Sequence, residues 1–356
     1  MLKMIVINYG TDMVNNTEEA LAASDIGSFL KSGDAVAIKP NLVVARPASG
    51  GATTHPEVVE GIIRFLKGYG AKKIKIIESA WVGDSTKRAY KNCGYEELSR
   101  KYGVPLIDLK SDSASTRTFG EYSMEICDEA LETDFLINAP VLKAHNKVGL
   151  TCCVKNLKGC VPDSEKRRFH TLGIHKPVAA LNALLKTGYC VVDGVCGDLS
   201  FEEGGNPVEA NRIIVGQNPL LVDSYCAELI GYCPDEIEYL SYGKEIGVGT
   251  YYSEETRIVE LNAHDKPANE TKSNRTADKY RKFIEEDAAC SACYSALVYA
   301  LHRLGGNPRG PGKIHIGQGF KGKSGPGVGI GNCARGFEQC VPGCPPKAID
   351  IVDALG

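Results

Sequence analysis

The sequence predicts an α/β fold: a mostly parallel sheet with helices on both faces, followed by a small loop-rich C-terminal unit. Three observations carry this. Short apolar strand candidates alternate with amphipathic helical stretches through the first two thirds of the chain, and such alternation implies crossover connections and parallel pairing. A polar stretch rich in Asn, Lys and Thr interrupts the pattern at 262–278. Beyond it the chain becomes dense in glycine, proline and cysteine.

In chain order, the strand candidates are Met4 to Asn8, Ala35 to Lys39, Lys73 to Glu78, Pro105 to Leu109, Asp134 to Asn138, Tyr189 to Asp193 and Arg212 to Gly216. Each is a short run of Val, Ile and Leu bounded by polar or turn residues. The clearest helix is Pro56 to Tyr69. It has proline at its first position, Val58, Val59, Ile62, Ile63 and Leu66 on one side, and Gly70 beyond its end. Pro177 to Leu185 and Leu220 to Ile230 repeat that pattern. Past the polar stretch, a helix is expected over Ala277 to Asp287. Short strands are expected at Lys313 to Ile316 and Gly327 to Ile330, and a last helix over Pro345 to Leu355. The predicted organisation is therefore an α/β domain over 1–261, a linker over 262–278 and a cysteine-bearing domain over 279–356.

With 356 residues, 43% of them hydrophobic, the chain can bury a core, and a net charge of -3 names no polyanionic partner. Neither nucleic acid nor a membrane surface is expected. No apolar run approaches the roughly 20 residues that a spanning helix needs. The N-terminus lacks the features of a signal peptide, so a cytoplasmic location is expected. Fourteen cysteines are many for a reducing compartment, where structural disulfides are disfavoured. Most, such as Cys127, Cys190 and Cys226, sit in apolar patterns and read as core residues. Cys152, Cys153 and Cys160 are read as non-ligating.

The C-terminal cysteines differ. Cys290-x-x-Cys293 is followed by Gly331-Asn332-Cys333-Ala334 and Gly343-Cys344-Pro345-Pro346. A Cys-x-x-Cys turn lets two thiolates meet one metal centre, and glycines beside ligands let backbone approach a bulky cluster. Four thiolates also satisfy tetrahedral zinc. Zinc ribbons, however, repeat a Cys-x-x-Cys knuckle on both sides, and this tail does not. The elements at Gly331 to Ala334 and Gly343 to Pro346 resemble the cluster-binding domain of nickel–iron hydrogenase small subunits and the related subunit of respiratory complex I. That resemblance implies one [4Fe-4S] cluster on Cys290, Cys293, Cys333 and Cys344, with Cys340 as a further candidate.

A second constellation lies in the α/β part. Residues 143–176 hold eight Lys or Arg against two acids, Asp163 and Glu165. Lys39 and Asn41 follow one strand candidate, Lys143 and His145 another, and Glu78-Ser79 and Asp193 end two more. Carboxyl ends of parallel strands open onto ligand crevices, so one shared anion-binding cleft is expected. Its expected binding residues are Lys39, Asn41, Lys155, Asn156, Lys158 and Asp193, with Lys143 and His145 in catalytic roles. Lys147 and Lys166-Arg167-Arg168 read as solvated charges.

On Ile38-Lys39-Pro40-Asn41, Ala139 to His145, Lys155-Asn156-Leu157-Lys158-Gly159, Asp193-Gly194 and Asn218 to Asp223, the chain resembles the domain-of-unknown-function-362 family across about residues 30 to 250. Members are often joined to iron–sulfur modules. Many carry a ferredoxin-like repeat of Cys-x-x-Cys-x-x-Cys; this chain does not, which removes any inference of a two-cluster electron wire. The expected function is an iron–sulfur oxidoreductase or electron-transfer protein acting on a small anion or a redox partner protein. Two alternatives stay open: a non-redox enzyme with a Lewis-acid iron on three thiolates, and a cluster-binding scaffold. No nucleotide fingerprint is present. A flavin and a homodimer are left open.

Overall fold

The computed structural model describes residues 3–268, 271–310 and 312–356. Period-two alternation sorts the strand side chains onto the two faces of one sheet. In Met4–Tyr9, Ile5 and Ile7 enter one apolar cluster and Val6 the other. In Phe135–Ala139, Leu136 joins the first cluster, while Phe135 and Ile137 join the second. His175–Leu184 and Pro219–Leu229 cover the first face through Val178, Leu181, Leu220 and Leu221. Met13–Ala22 and Pro56–Tyr69 cover the second through Leu21, Val59, Ile62 and Leu66. Burying one such aliphatic side chain contributes roughly 1.5–3 kcal/mol, so the two faces dominate stability.

The sheet has eight strands in the spatial order Arg257–Leu261, Met4–Tyr9, Pro207–Gly216, Tyr189–Asp198, Phe135–Ala139, Ala35–Pro40, Lys73–Glu78 and Leu106–Asp108. Five of its seven pairings are parallel, as expected of an α/β sheet. Pro207–Gly216 runs antiparallel to both of its neighbours. The connection 199–206 explains this, because a parallel return needs a crossover of a dozen or more residues. Among the described residues, no helix is long and apolar enough to cross a membrane.

The tail builds a second sheet, all parallel, in the order Ile284–Glu286, Ile314–Ile316, Gly325–Ile330 and Phe337–Val341. Ser291–Arg303 and Ala348–Leu355 close a third apolar cluster over it, with Leu297, Leu301, Ile316, Ile330 and Ile351 at its centre. Here the sequence reading needs correction. The helix expected over 277–287 is a 3-10 segment, Asp278–Phe283, followed by the strand Ile284–Glu286. Pairing with Ile314–Ile316 satisfies that backbone and overrides local helical preference. The true helix begins at Ser291, immediately after Cys290.

The expected linker, 262–278, includes Asn269 and Glu270, which lie outside the described residues. Its later part is tied down: Ser273 N donates to Ile230 O at 2.9 Å, and Arg275 pairs with Glu236 at 2.8 Å. The tail packs on the α/β domain through the turn at Asn146-Lys147 and through Glu202. Lys147 Nζ donates to Glu286 at 2.7 Å and to Ala289 O at 2.8 Å, so Lys147 is no free surface charge. Asn146 Nδ2 donates to Ser295 Oγ at 3.1 Å, and Ser295 Oγ donates to Glu202 at 2.9 Å.

Candidate functional site

The carboxyl ends of the parallel strands hold Lys39, Asn41, Glu78 and Ser79, and the tail folds back over them. Between the two lies a cavity of about 160 Å³. Lys39, Asn41, Lys143, Lys155, Asn156 and Lys158 line it from below, and Cys290, Cys293 and Cys344 from the tail side. Val43, Val44, Trp81 and Pro345 form an apolar wall.

The lysines are not equivalent. Lys39 is buried, its Nζ 3.0 and 3.1 Å from the Glu78 carboxylate, 3.0 Å from Pro40 O and 3.4 Å from Asn156 Oδ1. Asn156 is likewise spent, donating to Asn138 Oδ1 at 2.8 Å and Lys39 O at 3.2 Å. Together these groups form a satisfied buried ion pair that shapes the floor. Gly159 must be glycine here, since a Cβ would come within 2.6 Å of both Glu78 Oε1 and Lys39 Nζ. Lys143 is also sealed, donating to Ala52 O at 2.7 Å and Glu202 O at 2.6 Å; burial pushes it down to about 7.

Lys158 lies 2.7 Å from His170 Nε2, and burial, then Lys155 and Lys166, hold it well below the usual lysine range. Lys155 is half-buried in the cavity wall, lowered by burial with Glu202 opposing, and no acceptor among the described residues bonds its ammonium. It is the cation most available to a ligand.

Lys166 corrects the sequence reading. It is buried against the cavity, donating to Ser79 Oγ, to Ala80 O at 2.9 Å and to Asp163 at 3.1 Å.

His145 and Asp193 stand off the cavity. His145 accepts from the backbone N–H of Lys147 and Val148 at 3.1 and 3.2 Å through Nδ1, and its Nε2 meets Glu202. It borders a second, polar cavity of about 300 Å³ with His175 and Arg281. Burial pushes His145 down to about 4, so it is neutral near pH 7 where its Nε2 faces Glu202. Asp193 is fully buried and holds His55, at the start of Pro56–Tyr69, by both its N–H (2.7 Å) and its Nδ1 (2.8 Å). That is a structural task.

Burial opposes protonation of His55, but Asp193 prevails and raises its pKa above the usual value. A raised histidine contributes stability that is full below about pH 6.5 and lost as pH rises through the higher folded value. Asp193→Asn should therefore lower the melting temperature most at acidic pH. The gap from wild type should narrow on the alkaline side of neutrality; a gap constant with pH would refute the pair.

Residues that sequence reading missed are Glu202 and Glu203, on the short 199–206 connection, with Trp81 and His170. The adjacent acids Glu202-Glu203 before Gly204-Gly205 were the available signal. Asp223 is another. Its carboxylate accepts from the N–H groups of Cys153 (2.7 Å) and Val154 (2.9 Å), fixing the turn that carries Lys155 and Asn156. Cys152, Cys153 and Asp223 come within 4.8 Å of one another, all buried.

In the tail, Gly331 N donates to Val341 O at 2.8 Å, Asn332 N to Gly343 O at 2.9 Å, and Gly343 N returns to Asn332 Oδ1 at 2.9 Å. These bonds clamp the Cys333 and Cys344 loops together. Gly331, at φ 83°, leaves space where a Cβ would stand 3.8 Å from Cys293 Sγ. Burial and the charges of Cys290, Cys344 and Cys333 push Cys293 up to about 12, so these thiols share one electrostatic neighbourhood that a cation would relieve. Among the described residues, no three of these sulfurs fall within 4.8 Å of one another. Cys340, on Phe337–Val341, has Arg335 as its charged neighbour instead.

Comparison with known proteins follows this geometry. Thylakoid-associated protein of Synechocystis sp. is 25% identical over 242 residues, covering 65% of this chain and 74% of that protein. The lactate racemase apoprotein from Thermoanaerobacterium thermosaccharolyticum aligns at a TM-score of 0.43 and 12% identity, over 65% of this chain and 57% of that one. A Thermotoga maritima protein aligns at 0.38 and 12%, over 67% and 59%. The chain thus spans less than two thirds of either solved structure. A family model described as Domain of unknown function (DUF362) matches residues 36–228, the segment that supplies Lys39, Glu78, Lys155, Lys158 and Glu203 to the cavity, and this chain belongs to that family.

Proposed function

We propose that this chain is an iron–sulfur protein that exchanges electrons with a small anion held in the lysine-lined cavity, or through it with a redox partner protein. The observation behind this reading is that Cys290, Cys293 and Cys344 line the same cavity as Lys155 and Lys158. Residues 279–356 would act as the cluster-binding unit, as their likeness to the hydrogenase small-subunit motif implies. Cys290, Cys293, Cys333 and Cys344 would hold one [4Fe-4S] cluster, which supplies single-electron transfer when bound.

The chain's own groups do the rest. Lys155 draws and orients the anion. Val44, Trp81 and Pro345 restrict water. Gln318 Nε2 points a hydrogen bond at Cys290 Sγ across 3.7 Å, which tempers the electron density on that sulfur. Four thiolates in one neighbourhood favour electron transfer over a Lewis-acid iron, which needs a position free of protein sulfur. A cavity formed around Lys39 and Lys143 favours an enzyme over a scaffold. All fourteen cysteines are unpaired, which suits a reducing cytoplasm.

Anaerobically purified protein should carry about four irons and four sulfides per chain and develop a paramagnetic signal on reduction. Stoichiometric zinc without iron would overturn the reading.

A further inference from the structure

Glu202 and Glu203 stand side by side in the cavity wall, yet their surroundings differ completely. Glu202 is buried and fully engaged. His145 meets one carboxylate oxygen, and Ser295 Oγ donates to the other at 2.9 Å. Burial opposes its charge, but His145, Lys155 and Lys143 hold it ionised, below the usual range. Glu203 has no hydrogen-bond partner among the described residues, and its carboxyl borders the space that a ligand would fill. The carbonyl of Glu202, joined directly to Glu203 by the peptide bond, is gripped by Lys143 at 2.6 Å, which fixes the pair in place.

Two neighbouring carboxyls, one of them pinned as an anion, set the chemistry of the other. An arriving anion would make a third negative charge in a confined, poorly solvated space. The cheapest relief is to neutralise the one acid that has no committed partner. We propose that the cavity takes up its anion together with one proton, and that Glu203 is the group that receives it. The inference rests on the anion-binding reading above and adds the coupled proton to it. The proton comes from bulk water and forms an O–H bond on the Glu203 carboxylate; no electrons move.

The groups facing Glu203 agree. Burial and the Glu202 charge push it up to about 7, with Arg46 and Lys143 pulling the other way. Lys155, across the same cavity, attracts the anion rather than the proton. Free protein is therefore poised near neutrality, and an anion tips Glu203 to its acid form. Once loaded, a protonated Glu203 would face the bound anion as a hydrogen-bond donor where an ionised one would repel it.

The test is calorimetric titration of the holoprotein with sulfate and with methanesulfonate, each fully ionised across the range, from about pH 5.5 to 8.5. Two buffers of different ionisation heat report the protons taken up. Wild type should gain about half a proton per anion at pH 7, near none at the acid end and close to one at the alkaline end. Its affinity should fall about tenfold per pH unit above pH 7. Glu203→Gln should bind both anions with uptake abolished. Uptake that persists in Glu203→Gln, from Lys143, Lys158 or His170, would overturn the assignment, as would wild-type binding with no uptake at any pH. Should the variant lose its iron, infrared difference spectra of the wild type decide: a protonated-carboxyl band should appear on anion binding, and uptake without that band would overturn the assignment. Absence of binding by either anion in wild type would instead remove the anion-site reading, and this inference with it.

Discussion

Cys293→Ser or Cys344→Ser should reduce bound iron to background, while Cys340→Ser keeps the full complement. The first two sulfurs border the lysine cavity and share one neighbourhood with Cys290 and Cys333. Cys340 sits on a strand with Arg335 as its charged neighbour. Thiolate–metal bonds that form only in the folded state contribute their binding energy to folding. Iron analysis reads the first effect and hydrogen exchange the second. Protection should fall in the segments 288–293 and 331–345. Ile314–Ile316 and Gly325–Ile330 should keep part of theirs, because Leu297, Leu301 and Ile330 bury them in a core of their own. Iron retained by Cys293→Ser would refute the ligand set.

Lys155→Met should weaken binding of sulfate by about 10- to 100-fold at unchanged iron content, the scale of one lost charge-assisted hydrogen bond. Lys39→Met should act quite differently. Removing that ammonium leaves the Glu78 carboxylate buried without its cation, a defect of about 3–5 kcal/mol. Thermal denaturation should thus separate the two lysines: Lys155→Met melts near wild type, and Lys39→Met melts far below it. Equal melting temperatures with equally weakened binding would show that both ammonium groups meet the ligand directly.

The sheet was legible because its signals are local. Pro56–Tyr69 has proline at its start, a glycine beyond its end and an unbroken apolar stripe, and it forms over the expected residues. Lys73–Glu78 forms as read; the strand ends at Lys39 and at Glu78-Ser79 line one cavity, and the strand end at Asp193 stands off it. What local pattern could not convey was which polar groups would find partners inside the protein. Lys39 and Lys155 look alike in sequence, but one has Glu78 beside it, from a strand 39 residues away, and the other has no acceptor among the described residues. Asp193 and His145 carried the right chemistry at strand ends and were consumed by structural contacts. Glu203 escaped notice because an acid's environment is a tertiary property. The antiparallel direction of Pro207–Gly216 was not legible either, because the expected strands stopped at Asp193 and resumed at Arg212, a gap long enough for a parallel crossover; both strands run further and leave only 199–206 between them.

The position of Met4–Tyr9 between Pro207–Gly216 and Arg257–Leu261 bears on the order of biosynthesis. The first strand made is an interior strand whose neighbours are both made some 200 residues later. During translation at about 5–20 residues per second, it must wait tens of seconds with both edges unpaired, exposed to chaperones and to mispairing. Such distant pairing also marks the sheet as slow to close. The cysteine tail leaves the ribosome only after Arg257–Leu261 has been made. A completed sheet, with its lysines already at the strand ends, can therefore stand ready before the last thiols arrive.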